Sequence, residues 1–465
     1  MRGGAMDLLR GGNAARSAVV GGSMVLHALN TFIVATILPS IVRDIGGLRY
    51  FAWSTVLYVV ASLLGGAGCA SLLQRVGARG AYRAALAVFA LGSVGCALAP
   101  DMGVLLAGRM AQGLGAGTLS ALAFTMVRTL FAEALWTQAL SVVSVAWGVA
   151  TLLGPAVGGA FAAYGVWRMA FWTVAAAAPV LLLLVETALP RRLPPPPRRG
   201  GVPVGNLLLL AGAVLAVSAG STVGTASANA AGLIVAIGGF AWFARREAAG
   251  TARLFPAGAT RRASPLAATY AAMVLLLAGT TPEIFVPYFL QTLHGLGPLH
   301  AGYLTALMAL GWTAGSLATS GAGDAGTRGA LTLGPTLLAA GLAALGLLMP
   351  LAGPPGPDLF GIGGGLLAVG LGIGMTWPHL GACVFGFARE TDRDLAGGSI
   401  TMVVMIGGAI GAAMGGMVTN LAGMALPGGA AGAASWLFGG FIVAPLLAAL
   451  AIRRLPARRR PAAAE

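Results

Sequence analysis

The stretch GVLLAGRMAQGLGAGTLSALAFTMV, residues 103–127, decides the fold, because it is long enough to cross a membrane and carries a single charged side chain, Arg109. A transmembrane helix needs roughly 20 consecutive, mostly apolar residues. The rest of the chain has the same character: 57% of its 465 residues are hydrophobic and 9% are charged, with a mean hydropathy of +0.87. A soluble domain carries about 25% charged residues. The sequence therefore predicts an all-α integral membrane protein.

Apolar segments of spanning length recur along the chain in the order six, two and six. They are predicted at 18–41, 51–73, 82–99, 103–127, 138–163, 169–188, 204–222, 229–244, 265–291, 299–321, 329–350, 359–385, 395–422 and 433–452. The corresponding divisions are a cytoplasmic N-terminus (1–17), a six-helix bundle (18–190), a Pro/Arg linker (191–203), two extra helices (204–244), a basic loop (245–264), a second six-helix bundle (265–452) and a basic tail (453–465). Two six-span halves are the plan expected of a transporter built from structural repeats.

The basic residues set the predicted orientation. All 28 are arginines, the formal net charge is +15, and most of them lie in the segments that are cytoplasmic when the N-terminus is inside. This bias predicts that both termini are cytoplasmic. Because the arginines form short clusters between apolar spans, they favour contact with membrane lipids over nucleic-acid binding. The three cysteines form no ligand pattern, so we expect no metal site.

Four short patterns lie in or beside separate predicted spans. They are Leu29-Asn30-Thr31 with Leu38-Pro39, Gln74-Arg75-Val76-Gly77-Ala78-Arg79, Arg109-Met110-Ala111-Gln112-Gly113 and Gly154-Pro155-Ala156-Val157-Gly158-Gly159. In this order and spacing they resemble the major facilitator superfamily, and the last pattern resembles its exporter branch. Over nearly its whole length the chain resembles the fourteen-helix drug:proton antiporter branch. The resemblance implies the major facilitator fold, with two pseudo-symmetric six-helix bundles and two extra helices, in a bacterial plasma (inner) membrane.

The loop after the second span resembles the family's conformational latch. Arg75, Gly77 and Arg79 match the family pattern, whereas Gln74 stands where an aspartate is usual. A corresponding pattern, Asp324 to Arg328, follows the second span of the second half. The arginines would either form a latch or serve only as topology determinants; both interpretations stay open.

The fourth span resembles the Arg-x-x-Gln-Gly motif of proton-coupled members, which implies a coupling role for Arg109. A charge at this depth is costly unless it meets water, a carbonyl or a partner. The alternative is an arginine that snorkels outward. The Gly154-Pro155 pattern with Gly158 and Gly159 resembles the antiporter motif, since proline bends the helix and glycine permits close packing. A simple proline kink is the alternative.

Asn30 occupies a position where an aspartate is common in the family, so the first span lacks a titratable group there. Glu283 is the remaining candidate for proton coupling, because it lies in an apolar span between Pro282 and Pro287. It would carry a proton or pair with a cationic substrate; the alternative is a structural hydrogen bond to another helix. Predicted lining residues of a substrate cavity are Asn30, Gln112, Trp147, Glu283, Tyr288, Trp312 and Trp377.

These features together predict a secondary active transporter and not an enzyme. The leading hypothesis is proton-coupled efflux of amphipathic or cationic small molecules by a monomer, driven by the proton gradient without a cofactor or ATP, since no nucleotide-binding motif is present. Such a multidrug efflux pump would confer antibiotic resistance. Two alternatives stay open: a uniporter, symporter or exporter of a specific metabolite or lipid, and a non-transporting receptor built on the same fold.

Overall fold

The computed structural model describes residues 11–132, 135–190, 203–250, 253–261 and 263–456. No strand occurs among these residues, which form helices joined by short connections. The α-helices, in chain order, are α1 (Gly11–Ile45), α2 (Phe51–Ala97), α3 (Met102–Leu130), α4 (Trp136–Ala163), α5 (Arg168–Ala188), α6 (Val204–Val223), α7 (Ala226–Ala249), α8 (Pro265–Thr280), α9 (Val286–Leu293), α10 (Pro298–Thr319), α11 (Asp324–Leu348), α12 (Asp358–Phe387), α13 (Arg393–Leu421), α14 (Gly429–Phe441) and α15 (Val443–Ile452). The chain is therefore an all-α protein, as predicted.

Twelve helical stretches of the described residues are long and apolar enough to cross a membrane. One of them, Leu48–Ala97, contains two predicted spans, which meet at Gly77 with φ 71° and ψ 178°. The predicted span 299–321 corresponds to α10, a 22-residue helix that is not among the twelve. Every predicted span thus falls on a helix. Most of the predicted linker and the outermost parts of both tails lie outside the described residues.

The contacts divide the chain into two compact units that do not follow chain order. The first contains the described residues of Met1–Val202 together with Ile284–Ala306. The second contains Pro203–Glu283 and the described residues of Leu307–Glu465, so it includes the two extra helices, α6 and α7. The chain passes from the second unit into the first between Glu283 and Ile284. The bundle boundaries drawn from the sequence remain a prediction.

Glycine positions hold the helices of the first unit close together. A side chain at Gly113 of α3 would collide with the backbone oxygen of Tyr58 on α2. In lipid the hydrophobic effect does not drive helices together, because the lipid tails are as apolar as the helix surfaces. Helices associate instead through such close backbone approach. Ser62 uses this proximity to donate a hydrogen bond to the backbone oxygen of Gly113, at 3.0 Å. The pairing of α2 with α3 places the polar side chains described below in one layer.

A buried carboxylate fixes the two extra helices in place within the second unit. Glu247, near the end of α7, is 3% exposed. Its Oε2 accepts a hydrogen bond from Nδ2 of Asn206 on α6 at 2.7 Å, and its Oε1 accepts from the backbone N–H groups of Leu254 and Phe255 at 2.5 and 2.7 Å. The Phe255 ring then packs against Tyr270 of α8, with ring centroids 5.2 Å apart. This carboxylate therefore holds together the two extra helices and the segment that follows them.

An apolar cavity of about 160 Å³ lies beside the extra helices. Its lining residues come from α6, α7 and α13 and are Val214, Val217, Leu233, Ala236, Ile237, Phe240, Ile410, Ala413 and Met414. Since none of these side chains is polar, the cavity offers no hydrogen bond to a ligand.

Candidate functional site

A buried polar centre lies in the first unit, where α1, α2 and α3 meet. It is organised by α3, on which Arg109 and Gln112 are three residues apart and so share a helix face. Arg109 is 2% exposed and Gln112 is fully buried. The guanidinium does not snorkel outward, the alternative considered from the sequence. It points into protein.

Arg109 is held by uncharged groups. Its Nη1 donates to Oε1 of Gln112 at 2.8 Å, and its Nε donates to the backbone oxygen of Ser54 on α2 at 3.3 Å. The guanidinium carbon lies 4.2 Å from the centre of the Tyr58 ring, within the range of a cation–π contact. These contacts position the charge but do not neutralise it.

The described carboxylates of the first unit are engaged elsewhere. Asp44 pairs with Arg168 at 2.6 Å, and Asp101 accepts the backbone N–H of Val104 to cap α3. Glu186 of α5 pairs with arginines near the start of the second half of α2. Among the residues that the structure describes, no carboxylate forms an ion pair with Arg109, so a full positive charge lies buried without a counter-ion.

Gln112 connects the three helices of the centre. Its Nε2 donates to Oγ of Ser93 on α2 at 2.9 Å and to Oδ1 of Asn30 on α1 at 3.3 Å. The thiol of Cys96 lies 3.7 Å from Oε1 of Gln112. One amide side chain thus links α3 to both of its neighbours, which is why it is fully buried without being orphaned.

A second polar pair adjoins Arg109 through Tyr58. The Tyr58 hydroxyl lies 3.1 Å from Nδ1 of His27 and donates to the backbone oxygen of the same residue at 3.2 Å. The His27 ring also meets the edge of Trp147 of α4, with centroids 5.9 Å apart. Trp147 is therefore adjacent to the polar centre, and 39% of its surface is exposed.

Two donors of this centre lack a well-formed hydrogen bond to any described residue. They are Nδ2 of Asn30 and Oγ of Ser54, both buried, although the Asn30 side chain also interacts with the Tyr58 hydroxyl. Buried polar groups in proteins are nearly always paired, so each exception calls for an explanation. In this centre the exceptions lie on a residue bonded to Gln112 and a residue bonded to Arg109.

The Gly-Pro pattern of α4 forms a packing surface in the first unit. A side chain on Gly158 would meet Ile33 of α1, at 2.9 Å from its backbone oxygen. A side chain on Gly159 would lie 2.6 Å from Cα of Leu299, and one on Gly302 would lie 2.9 Å from Cβ of Pro155. This pattern therefore admits the start of α10 at a distance that only glycine allows.

The latch pattern is held by an acid from another helix. Glu186 accepts two hydrogen bonds from Arg83, from Nε at 2.7 Å and from Nη2 at 2.9 Å, and pairs with Nη1 of Arg79 at 3.3 Å. Arg79 also donates to the backbone oxygen of Leu189. Arg75 is exposed, as are Asp324 and Arg328 at the start of α11. Glu186, which was not among the predicted site residues, is therefore the carboxylate that pairs with Arg79 and Arg83.

Glu283 belongs to the second unit and lies in the 3-10 segment Thr281–Phe285 that separates α8 from α9. Such a break fits the two prolines, because neither ring nitrogen can donate a helical hydrogen bond. The carboxylate is partly buried and makes no hydrogen bond or ion pair with any described residue. Trp312 and Trp377, also in the second unit, pack together with centroids 6.0 Å apart. Tyr288 lies in the first unit, 5.5 Å from the Phe51 ring.

The structure thus gathers Asn30, Arg109, Gln112 and Trp147 into one neighbourhood of the first unit. Sequence reasoning missed Ser54, Tyr58 and Ser93, since serine and tyrosine are common in apolar helices and only packing reveals their partners. Among the described residues, no group of three or more His, Cys, Asp or Glu side chains could hold a metal ion.

Comparison with known proteins agrees with the pattern of motifs. The sequence model of the Major Facilitator Superfamily matches residues 20–412. A "probable multidrug-efflux transporter" of Mycobacterium tuberculosis (strain ATCC 25618 / H37Rv) is 36% identical over 440 residues, covering 92% of this chain and 91% of the relative.

Solved structures show the same fold. A D-xylose–proton symporter superposes with a TM-score of 0.66 at 14% identity, covering 96% of this chain and 98% of that one. A nucleoside transporter, NupG, superposes with a TM-score of 0.68 at 12% identity, covering 95% and 99%. The family match and the extended likeness to the mycobacterial relative lead to one conclusion: the chain belongs to the Major Facilitator Superfamily and is a multi-pass membrane transporter.

Proposed function

We propose that the protein exports amphipathic small molecules, including cationic ones, in exchange for protons by alternating access. The observation that carries this proposal is the carboxylate of Glu283, which lies in an apolar, proline-interrupted helix and has no partner among the described residues. Intramembrane acids without a structural partner mark proton or substrate pathways. The name of the mycobacterial relative, a probable multidrug-efflux transporter, supports the direction and the substrate range.

Coupling follows if proton and substrate compete for Glu283. A ligand shifts a conformational equilibrium only to the extent that it prefers one state. Competition for one carboxylate meets this condition, because release of a proton on one side then permits binding of a cationic substrate. Arg109, in a motif that resembles that of proton-coupled members, shapes the electrostatic field of the first unit. The proton gradient supplies the energy, with no cofactor or ATP.

The proposed setting is a bacterial inner membrane, with both termini in the cytoplasm and a monomeric protein surrounded by lipid. Export of antibiotics from this position would confer resistance. The arginine clusters support the orientation through the positive-inside rule.

The test is efflux of ethidium from energised cells that express wild type, Glu283→Gln or a matched control, Asp358→Asn. Asp358 is an exposed carboxylate in the first turn of α12. We expect uncoupler-sensitive efflux in wild type and control and loss of efflux in Glu283→Gln. Efflux that is unaffected by the uncoupler would favour a uniporter, and uptake in place of efflux would favour a symporter. Retained coupling in Glu283→Gln would remove Glu283 from the mechanism.

A further inference from the structure

We propose that Arg109, Asn30 and Ser54 form a binding site for an acidic group, a carboxylate or a similar anionic group, on those exported compounds that carry one. This inference rests on the proposed function, because it defines the chemistry of the substrates. It extends the substrate class to amphipathic molecules that carry an acid, with or without an amine.

The first argument is charge balance. Arg109 is buried at 2% exposure, and each described carboxylate of the first unit is committed to another partner. A buried charge is costly unless it is paired. Arginine presents a planar fork of donors that matches a carboxylate, and such pairs are among the strongest hydrogen bonds in proteins. An anionic ligand would therefore remove the imbalance.

The second argument is the surplus of donors around the guanidinium. Nη2 of Arg109 has no acceptor among the described residues, whereas Nε and Nη1 are satisfied. Nδ2 of Asn30 and Oγ of Ser54 are likewise buried and lack a well-formed hydrogen bond to any described residue. An acceptor-only group would pair with donors of this kind. A cationic amine would instead be repelled by the positive charge of the guanidinium. Water would accept hydrogen bonds from the donors but leave that charge uncompensated.

The third argument is the identity of residue 30. Oδ1 of Asn30 accepts from Gln112 at 3.3 Å, and Gln112 in turn accepts from Arg109 at 2.8 Å. An aspartate of the same shape would bring a negative charge into this chain of bonds. With asparagine the charge is left for a ligand to supply. Because these side chains are closed off in the structure, the acid reaches them through the opening that alternating access provides.

The experiment is equilibrium binding of tritiated naphthaleneacetate and naphthaleneacetamide to the purified full-length protein in detergent. The two probes share one aromatic skeleton and differ in the acid. We expect wild type to bind the acid about tenfold more tightly than the amide, as a charge-assisted hydrogen bond would give. The preference should disappear in Arg109→Gln and in Asn30→Asp, which supplies an internal anion.

The matched control is Arg168→Gln, which removes a cation that is paired with Asp44 and should leave the preference intact. Asn30→Asp is nearly isosteric, so it keeps the test valid if Arg109→Gln fails to fold. Equal binding of acid and amide by wild type, or a preference that survives both substitutions, would overturn the proposal.

A free inorganic anion is the other source of the same chemistry. Thermal unfolding is therefore measured in chloride and in gluconate. Chloride-dependent stabilisation that requires Asn30, without any preference for the acid probe, would assign the site to a resident ion and overturn the substrate role. Because binding is measured without a gradient, loss of proton coupling in the efflux assay contradicts the proposed function and leaves this result unaffected.

Discussion

Arg109 in the first unit and Glu247 in the second are both buried charged side chains. Neither forms an ion pair with a residue that the structure describes, yet their surroundings differ. The Glu247 carboxylate accepts three hydrogen bonds, from Asn206, Leu254 and Phe255. Arg109 donates two hydrogen bonds, and two neighbouring donors, on Asn30 and Ser54, lack a well-formed hydrogen bond to any described residue. The buried carboxylate of Glu247 thus has its hydrogen bonds satisfied by protein, whereas the buried guanidinium of Arg109 does not.

The difference separates a structural role from a functional one. A saturated buried charge holds its neighbours together, and its removal strands the groups bonded to it. An unsaturated buried charge contributes little to folding and is retained for another reason, such as a ligand. The comparison can be tested on one scale, the free energy of unfolding measured by titration with SDS and followed by tryptophan fluorescence.

Glu247→Ala should have the largest effect on that scale. It leaves three buried N–H donors without acceptors, and we expect a loss of about 3 kcal/mol. Glu247→Gln is the control, because its amide oxygen can still accept the two backbone hydrogen bonds. An unfolding midpoint of Glu247→Ala equal to that of wild type would show that the carboxylate does not stabilise the folded protein.

Gly113→Ala tests the close approach of α2 and α3 that assembles the polar centre. Its methyl group would collide with the backbone oxygen of Tyr58, and we expect a loss of about 2 kcal/mol. A methyl group at Gly148 of α4 meets nothing within 4 Å, so Gly148→Ala should cause no loss. Equal midpoints for the two variants would contradict the packing argument.

Glu186→Gln tests the ion pairs with Arg79 and Arg83. The Glu186 side chain is 28% exposed and that of Arg83 is 60% exposed, so solvent screens the pairs. We therefore expect a loss of about 1 kcal/mol or less, and one that shrinks further in high salt. The measurement is the same titration at low and high ionic strength, and a large, salt-independent loss would show that the pairs are stronger than their exposure suggests.

Arg109→Gln should have the smallest effect on stability and a severe effect on transport. It removes an uncompensated buried charge, so the free energy of unfolding should stay within about 1 kcal/mol of wild type. Efflux of an acidic amphipathic compound should nevertheless be lost. A destabilisation as large as that of Glu247→Ala would erase the contrast between the two units.

Local sequence predicted the parts of the site that lie on one helix. The spacing of Arg109 and Gln112 places them on one face, and a break between two spans was expected near Gly77, where φ is 71°. Partners from other helices could not be predicted. Glu186 and Glu247 lie at helix ends in basic surroundings, and only the packing of distant segments shows that one binds arginines and the other binds backbone N–H groups.

The thiol of Cys96 offers a way to measure how often the polar centre opens. Its thiol lies 3.7 Å from Oε1 of Gln112 and is shielded from solvent. A maleimide can therefore reach it only while the surrounding helices part. In a variant with Cys69 and Cys383 replaced by alanine, the labelling rate then reports how often the centre opens. Compounds that hold the centre shut should slow the labelling and those that speed the cycle should hasten it, which makes turnover visible without following a transported molecule.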